Sequence, residues 1–202
     1  MTNSNESGDQ DPPEWVGSLS AALERIRSQP GKRGSTPREA AVLVLLIDGP
    51  DGVQVLLTKR ALDLRHYPGE WVFPGGKKDS TDADSTATAL REAREEVGLD
   101  GTSVHILGSL PTTVDPDGKS TVTPVLAWSV CPEFPGPVNS KEVADVRWVA
   151  IRDVSASGRA APRSKELASL VSKLGSMTIE IIDAVVALLD APTAKDPNDI
   201  HP

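Results

Sequence analysis

The chain has 202 residues, enough for one domain with a sizeable core, and its 38% apolar content is ordinary for a globular protein. Its formal net charge of −8 argues against broad nucleic-acid binding, which needs a basic footprint. No apolar run approaches the roughly 20 residues of a membrane-spanning helix, and no signal peptide is evident. Because the single Cys131 cannot form an internal disulfide, we expect a cytoplasmic protein. From the net charge and the short apolar runs we expect no nucleic-acid or membrane partner.

The N-terminal part of the chain predicts a tail, a helix and a pair of strands. Residues 1–13 are polar and acidic, and we expect them to be disordered. Apolar positions recur at helical spacing over residues 14–28, which predicts an amphipathic helix, and a flexible loop follows at 30–34. The apolar runs 40–47 and 53–58 are separated by a turn segment rich in Asp and Gly, so they predict two antiparallel strands.

Residues 59–78 form a basic segment in an otherwise acidic chain. The segment lies directly before and around the glycine pair Gly75-Gly76, so we expect it to bind an anion. An ordinary charged loop is the alternative interpretation. The candidate substrate-binding residues of this segment are Lys59, Arg60, Arg65, His66, Gly75 and Lys77.

A helix is predicted from Asp84 or Ser85, which are good N-cap residues, to Gly98, which suits the left-handed position after a helix end. Three carboxylates on this helix, Glu92, Glu95 and Glu96, are spaced i, i+3 and i+4 and therefore share one face.

Like charges at this spacing repel each other, and a divalent cation would convert the repulsion into coordination. Hard oxygen ligands without His or Cys favour Mg²⁺ or Mn²⁺ over Zn²⁺. Gly76 lets a backbone carbonyl approach the same ion, so it is a fourth candidate ligand. A solvated helix with mixed Arg and Glu side chains is the alternative for this helix taken alone.

The C-terminal half predicts further strands and two helices. Strand-like runs occupy residues 104–110, 121–130 and 142–149, and helical spacing covers 165–174 and 178–189. The last helix is apolar enough for a core helix or a homodimer interface, and we expect the core. Residues 191–202 form a flexible tail rich in Pro and Asp. Strands, a central helix, more strands and terminal helices together predict a mixed sheet with helices on both faces.

The glycine pair, the acidic loop and the helix with Arg91-Glu92-Ala93-Arg94-Glu95-Glu96-Val97-Gly98 resemble the Nudix box, Gly-x5-Glu-x7-Arg-Glu-U-x-Glu-Glu-x-Gly-U, with U apolar. From Gly76, five residues lead to Asp82, where the box has Glu, and eight rather than seven lead on to Arg91. The chain therefore matches the box at its helical end and differs from it in the loop.

The preceding segment looks like the coenzyme A pyrophosphatase branch of Nudix hydrolases. The branch pattern Leu-Leu-Thr-x-Arg-Ser/Ala-x3-Arg-x3-Gly-x3-Phe-Pro-Gly-Gly is met by Leu56-Leu57-Thr58-Lys59-Arg60-Ala61, Arg65, Gly69 and Phe73-Pro74-Gly75-Gly76. The branch often has His-x-Gly just before Glu or Gln, and Tyr67 stands where that His would fall.

This resemblance implies an α/β/α sandwich with a mixed β-sheet, formed by a single domain over residues 14–190 with its core at about 40–151. It implies Mg²⁺- or Mn²⁺-dependent hydrolysis of coenzyme A or its thioesters to 3′,5′-ADP and 4′-phosphopantetheine. The same chemistry on ADP-ribose, a dinucleotide or a nucleoside triphosphate is the near alternative. A non-catalytic nucleotide-binding regulator is the second alternative.

The resemblance also implies roles for the box residues. Glu92, Glu95 and Glu96 would hold the metal, and Glu92 is either a ligand or the general base. Arg91 would orient the carboxylates through charge-assisted hydrogen bonds. Asp82 could hold waters or cap the loop, and Glu142 could supply a distal base.

Overall fold

A computed structural model describes residues 11–27, 38–130 and 136–191. Most of the expected tails, the expected loop at 30–34 and Cys131 lie outside the described residues. The described ranges contain, in chain order, α1 (Glu14–Arg27), β1 (Glu39–Gly49), β2 (Gly52–Arg60), β3 (Trp71–Val72), β4 (Gly75–Lys77), α2 (Ser85–Val97), β5 (His105–Ser109), β6 (Thr113–Val114), β7 (Thr121–Trp128), β8 (Val143–Ala150), α3 (Ala156–Ala160), α4 (Lys165–Val171) and α5 (Ser176–Leu189), with 3₁₀ turns at Gly101–Ser103 and Ile151–Val154.

The strands form one mixed sheet with β1 at its centre. Over residues 39–46, β1 pairs in parallel with β7, which also pairs with β5 and β6. Over residues 46–49, β1 pairs antiparallel with β2, but over residues 40–42 it pairs with β4 instead. Along residues 54–60, β2 pairs antiparallel with β8, and at residues 58–59 it also pairs with β3. The strands β1 and β2 therefore diverge, and the short strands β3 and β4 lie in the gap between them.

The central strand β1 is buried on both faces, as its continuous apolar run requires. Ala41, Leu43 and Leu45 belong to the core layer under α2. Alternate residues belong to the layer on the opposite face, which includes side chains from α1, α4 and α5. Helices thus cover both faces of the sheet, which confirms the predicted α/β/α sandwich.

The helix α2, which carries the residues that resemble the Nudix box, begins and ends where predicted. Asp84 is its N-cap and accepts a hydrogen bond at 2.8 Å from the backbone N–H of Ala87. Gly98 follows the helix in the left-handed conformation, with φ of 71°. Both ends are therefore fixed by local chemistry, so the register of the three carboxylates on α2 is fixed as well.

The other predicted strands and helices are present with ends that differ by a few residues, and four short elements are additional. The predicted helix at 165–174 ends three residues early, at Val171, and the predicted strand at 121–130 ends at Trp128. The sequence pattern does not predict β3, β4, β6 or α3, each five residues or fewer. In particular, the glycine pair lies in a paired strand, β4.

The last helix, α5, packs as a core helix through Ile181, Ile182 and Val185, as expected. Whether the protein also forms a homodimer stays a prediction. Within the described ranges, the helices are too short or too polar to cross a membrane.

Candidate active site

A cleft of about 760 Å³ opens where β1 and β2 diverge. Its lining comes from the N-terminal end of β1, the end of β2, the short strand β4 and the helix α2. Seven of the predicted site residues line it, namely Arg60, His66, Gly75, Gly76, Lys77, Glu92 and Glu96. Four others, Lys59, Arg65, Arg91 and Glu95, are not part of this lining.

Glu96 is a buried carboxylic acid at the floor of the cleft, with 6% of its surface exposed. The backbone N–H of Gly75 donates a hydrogen bond to its Oε2 at 3.2 Å. Burial raises the pKa of Glu96 to about 8, and the negative charges of Glu92 and Glu142 add to the rise. A neutral acid is therefore favoured near pH 7, and a bound cation would favour the carboxylate.

Glu92 lies one helical turn before Glu96 and contacts the backbone of Gly76. A Cβ atom on Gly76 would lie 2.5 Å from the carboxyl carbon of Glu92, closer than real Cβ atoms approach other heavy atoms. A side chain at position 76 would therefore displace the carboxyl group of Glu92 from its present place. Burial raises the pKa of Glu92, and the neighbouring Arg91 opposes the rise.

Arg91 connects the helix to the loop that precedes it. Its Nε and one terminal nitrogen donate to the two carboxylate oxygens of Asp82 at 3.1 and 3.0 Å, and the same terminal nitrogen donates to the backbone carbonyl of Lys77 at 2.9 Å. These hydrogen bonds, with one from the backbone N–H of Asp79, hold the pKa of Asp82 well below its usual range. Asp82 therefore closes the loop, which is one of the two roles expected for it.

Arg91 also forms ion pairs with two box carboxylates. It contacts Glu92 at 3.0 Å and Glu95 at 3.3 Å. The Glu95 side chain is 57% exposed and lies outside the cleft lining. The shared helical face predicted for three carboxylates thus brings two of them into the cleft and leaves the third beside Arg91.

The donor set of the cleft fits a hard divalent cation in part. The charge of Glu92 raises the pKa of Glu96, and the charges of Glu95 and Glu142 raise the pKa of Glu92, which is the repulsion that a cation would relieve. Among the described residues, however, no group of three or more His, Cys, Asp or Glu side chains has the arrangement of a metal site. Glu92, Glu96 and the Gly76 backbone are the groups that could hold the ion, and Glu95 is at present paired with Arg91.

Positive side chains flank the two carboxylates. Arg60 lines the cleft, and its charge lowers the pKa of Glu96. Its Nε donates to the backbone carbonyl of His66 at 3.1 Å, which fixes the guanidinium beside the loop that follows β2.

Two further cations in the cleft lining, Arg38 and Lys119, were not predicted from the sequence. The β1–β7 pairing brings their segments together, since the backbone N–H of Thr121 donates to the Arg38 carbonyl at 2.9 Å. No local pattern in the sequence indicates this contact.

Glu142, the residue directly before β8, is a further acidic residue of the cleft. Its backbone carbonyl accepts a hydrogen bond from Ala61 at 2.9 Å, and its charge raises the pKa of both Glu92 and Glu96. An acidic floor bordered by Arg and Lys side chains suits a phosphorylated ligand together with a metal ion, since each sign of charge then has a partner.

Comparison with known proteins agrees with this geometry. A family model described as the NUDIX domain matches residues 37–171. A relative described as the uncharacterized Nudix hydrolase NudL, from Cronobacter sakazakii, is 39% identical over 140 residues, which cover 69% of this chain and 71% of that protein. The protein of the same description from Escherichia coli K12 is 38% identical over 124 residues, covering 61% of this chain and 63% of its own.

Solved structures show the same fold. A Nudix hydrolase from M. smegmatis, RenU, superposes with a TM-score of 0.53 at 26% identity, covering 78% of this chain and 91% of its own. A NUDIX hydrolase from Alicyclobacillus acidocaldarius gives a TM-score of 0.52 at 23% identity, covering 78% and 95%, which supports the fold alone. The family model spans most of the chain, including the cleft residues of β1, β2, β4 and α2, so this protein belongs to the Nudix hydrolase family.

Proposed function

We propose that the protein hydrolyses the diphosphate linkage of coenzyme A or its thioesters in a reaction that depends on Mg²⁺ or Mn²⁺. The observation that carries the proposal is the cleft itself, where Glu92 and Glu96 lie between cationic side chains. The negative charge of a diphosphate ester would balance the positive charges of Arg60 and Lys77. The positive charge of the metal ion would balance the negative charges of the carboxylates.

Water attacks one phosphorus atom, the bridging P–O bond breaks, and the products are 3′,5′-ADP and (acyl-)4′-phosphopantetheine. A bound Mg²⁺ or Mn²⁺ would neutralise phosphate oxygens and acidify the attacking water. Glu92, or the more distant Glu142, accepts the proton of that water. Glu96 and the Gly76 carbonyl would hold the cation, together with Glu92 where Glu142 is the base, and Glu95 would join them by leaving its ion pair with Arg91. Arg91 keeps Glu92 oriented through its other ion pair.

The preference for coenzyme A rests on the sequence pattern that ends at Phe73-Pro74-Gly75-Gly76. Cleft cations are consistent with a substrate that carries a further phosphate, because coenzyme A has a 3′-phosphate beside its diphosphate. Arg60, His66 and Lys77 are the proposed contacts from the basic segment, together with Lys59 and Arg65, which lie outside the cleft lining.

ADP-ribose, a dinucleotide or a nucleoside triphosphate is the alternative substrate class, because the fold does not select the leaving group. A non-catalytic nucleotide-binding regulator is the second alternative. The buried Glu96 argues against it, since a binding protein gains nothing from an acidic group that burial destabilises. The expected setting is the cytoplasm, with a small-molecule diphosphate as partner.

The test is incubation of the purified protein with Mg²⁺ or Mn²⁺ and coenzyme A, acetyl-coenzyme A, ADP-ribose, NADH or a nucleoside triphosphate. Mass spectrometry then identifies the products. Release of 3′,5′-ADP from the two coenzyme A substrates alone supports the proposal. Cleavage of ADP-ribose or NADH instead keeps the mechanism and rejects the substrate, and ligand binding without any cleavage favours the regulator.

Two variants separate chemistry from folding. Glu96→Gln removes a charge at nearly constant shape and is expected to abolish turnover while the protein stays folded. Glu180→Gln, on the exposed side of α5, makes the same chemical change away from the cleft and is expected to leave the rate unchanged. Near-normal turnover by Glu96→Gln would show that the metal-site assignment is wrong.

A further inference from the structure

The loop between β2 and β3 carries a tyrosine in a backbone conformation that is rare for this residue type. Tyr67 has a φ of 56°, in the left-handed region, where non-glycine residues other than Asn, Asp and His are uncommon. Backbone strain of this kind persists where the surrounding structure enforces it and occurs often at ligand sites. Tyr67 is also the single tyrosine of the chain, and it lines the cleft.

Backbone hydrogen bonds around Tyr67 enforce the conformation. The Gly69 N–H donates to the carbonyl of Arg60 at 3.1 Å, and the Glu70 N–H donates to the carbonyl of Tyr67 at 3.3 Å. The Arg60 side chain binds the carbonyl of His66 from the other side. The loop is thus attached to β2 before and after Tyr67, so its ring has a defined place at the cleft.

The turn between β6 and β7 also lines the cleft, beside this loop. Asp115, Asp117 and Lys119 of this turn all line the same cleft. Burial raises the pKa of the Tyr67 hydroxyl, and the negative charges of Asp117 and Asp115 raise it further. The turn and the tyrosine are therefore near one another. The two carboxylates are themselves held by hydrogen bonds to the turn backbone and to Lys119.

Tyr67 and the neighbouring His66 are the exposed aromatic side chains of the cleft lining among the described residues. Tyr67 is 36% exposed, whereas Phe73, also in the lining, is 3% exposed. The third ring of the lining, His66, lies with its centroid 6.3 Å from that of Tyr67 and is tilted by 48°, so it does not stack face to face on the tyrosine. The tyrosine ring, which His66 does not cover, is therefore available to a planar ligand group.

We propose that Tyr67 is a specificity-determining residue on whose ring the base of the nucleotide half of the substrate stacks. The inference rests on the proposed function only in that the substrate carries a base next to its diphosphate. The diphosphate lies over the carboxylates of α2, the base lies against Tyr67, and the strained loop holds the ring in position before the ligand arrives. Pre-organisation of this kind lowers the entropy lost on binding.

The experiment measures binding by calorimetry in the presence of Mg²⁺, with ADP as the probe that has a base and inorganic pyrophosphate as the probe that lacks one. Three variants are compared. Tyr67→Phe keeps the ring and removes the hydroxyl, Tyr67→Asn tolerates the left-handed backbone without an aromatic ring, and Tyr67→Gly relieves the strain. Thermal unfolding of each variant reports folding independently.

We expect Tyr67→Asn and Tyr67→Gly to raise the Kd for ADP about tenfold, the effect typical of a lost base–aromatic stack, and to leave that for pyrophosphate unchanged. Tyr67→Phe should bind both probes like the unaltered protein. Tyr67→Gly should melt at the same or a higher temperature, since glycine adopts this backbone without strain. Weaker binding by a variant that is at least as stable would not follow from a purely structural role.

Other outcomes overturn the inference. Unchanged ADP affinity in Tyr67→Asn, equal weakening of ADP and pyrophosphate, or no ADP binding by the unaltered protein would each exclude base stacking. A Tyr67→Phe variant as weak as Tyr67→Asn would assign the contact to the hydroxyl instead. Binding needs no turnover, so failure to cleave coenzyme A would reject the proposed substrate while leaving this inference supported by its own data.

Discussion

The buried carboxyl of Glu96 makes the stability of the metal-free protein depend on pH. Its pKa is about 8 in the folded chain, against 4.5 as the ordinary value. Between these values the folded state keeps a proton that the unfolded state has released, so the free energy of unfolding falls as pH rises. Each unit of difference between the two pKa values lowers the free energy of unfolding by about 1.4 kcal/mol. The total loss, reached above pH 8, is therefore up to about 5 kcal/mol.

Glu96→Gln removes this dependence, because an amide stays neutral at every pH. In EDTA, we expect the free energy of unfolding of the unaltered protein to fall between pH 5 and pH 8 relative to that of Glu96→Gln. Urea denaturation monitored by tryptophan fluorescence measures the difference at each pH. Glu180→Gln, exposed to solvent, is the control and should follow the unaltered protein.

Addition of Mg²⁺ at pH 8 completes the test. A cation that binds the ionised Glu96 stabilises the folded state by mass action, so the unaltered protein should regain stability while Glu96→Gln gains much less. Parallel pH profiles of the unaltered protein and Glu96→Gln in EDTA would refute the reasoning, because they would mean that Glu96 ionises as freely in the folded as in the unfolded chain.

Three further predictions concern the surroundings of the two carboxylates. Gly76→Ala should lower kcat/KM about 100-fold, because the new Cβ displaces the carboxylate of Glu92, the proposed base or metal ligand, while Gly101→Ala, where the space is open, should have no effect; equal rates for both variants would contradict the packing argument. Asp82→Asn weakens the bidentate contact that fixes the box arginine, so Mg²⁺ affinity measured by calorimetry should fall by about 10- to 100-fold, and an unchanged affinity would make the loop irrelevant to the metal. In steady-state kinetics, Arg60→Gln should raise KM about tenfold and Lys59→Gln by much less, because Arg60 lines the cleft and Lys59 does not. A larger rise in KM for Lys59→Gln than for Arg60→Gln would place the substrate elsewhere.

Elements with a strong local signal were predictable from the sequence. The helix α2 has its N-cap, its apolar positions and its terminal glycine within 15 residues, so its limits could be predicted to one residue. The long strands β1 and β2 are continuous apolar runs bounded by turn residues. The two- and three-residue strands β3 and β4 are too short for any periodicity, and they exist only because β1 and β2 diverge and leave their backbone groups available.

The site was predictable where its residues share one helix and not where distant segments meet. Spacing places three carboxylates on one side of α2, but only tertiary packing decides that Glu92 and Glu96 line the cleft while Glu95 remains with Arg91. Arg38 and Lys119 enter the cleft through the parallel pairing of β1 with β7, and no local pattern indicates it. Charge alone likewise could not separate Arg60 from the adjacent Lys59, since neighbours on a strand point to opposite faces.

The parallel pairing of β1 with β7 also has a consequence for synthesis of the chain on the ribosome. The hydroxyl of Thr121 contacts the carbonyl of Arg38 across 83 positions, so one edge of the central strand stays unpaired until the second half of the chain has emerged. Contacts this distant in sequence form slowly, because closing the intervening loop costs entropy before any contact repays it. During that interval β1 is an apolar strand with a free edge, the feature that most readily leads nascent chains to aggregate.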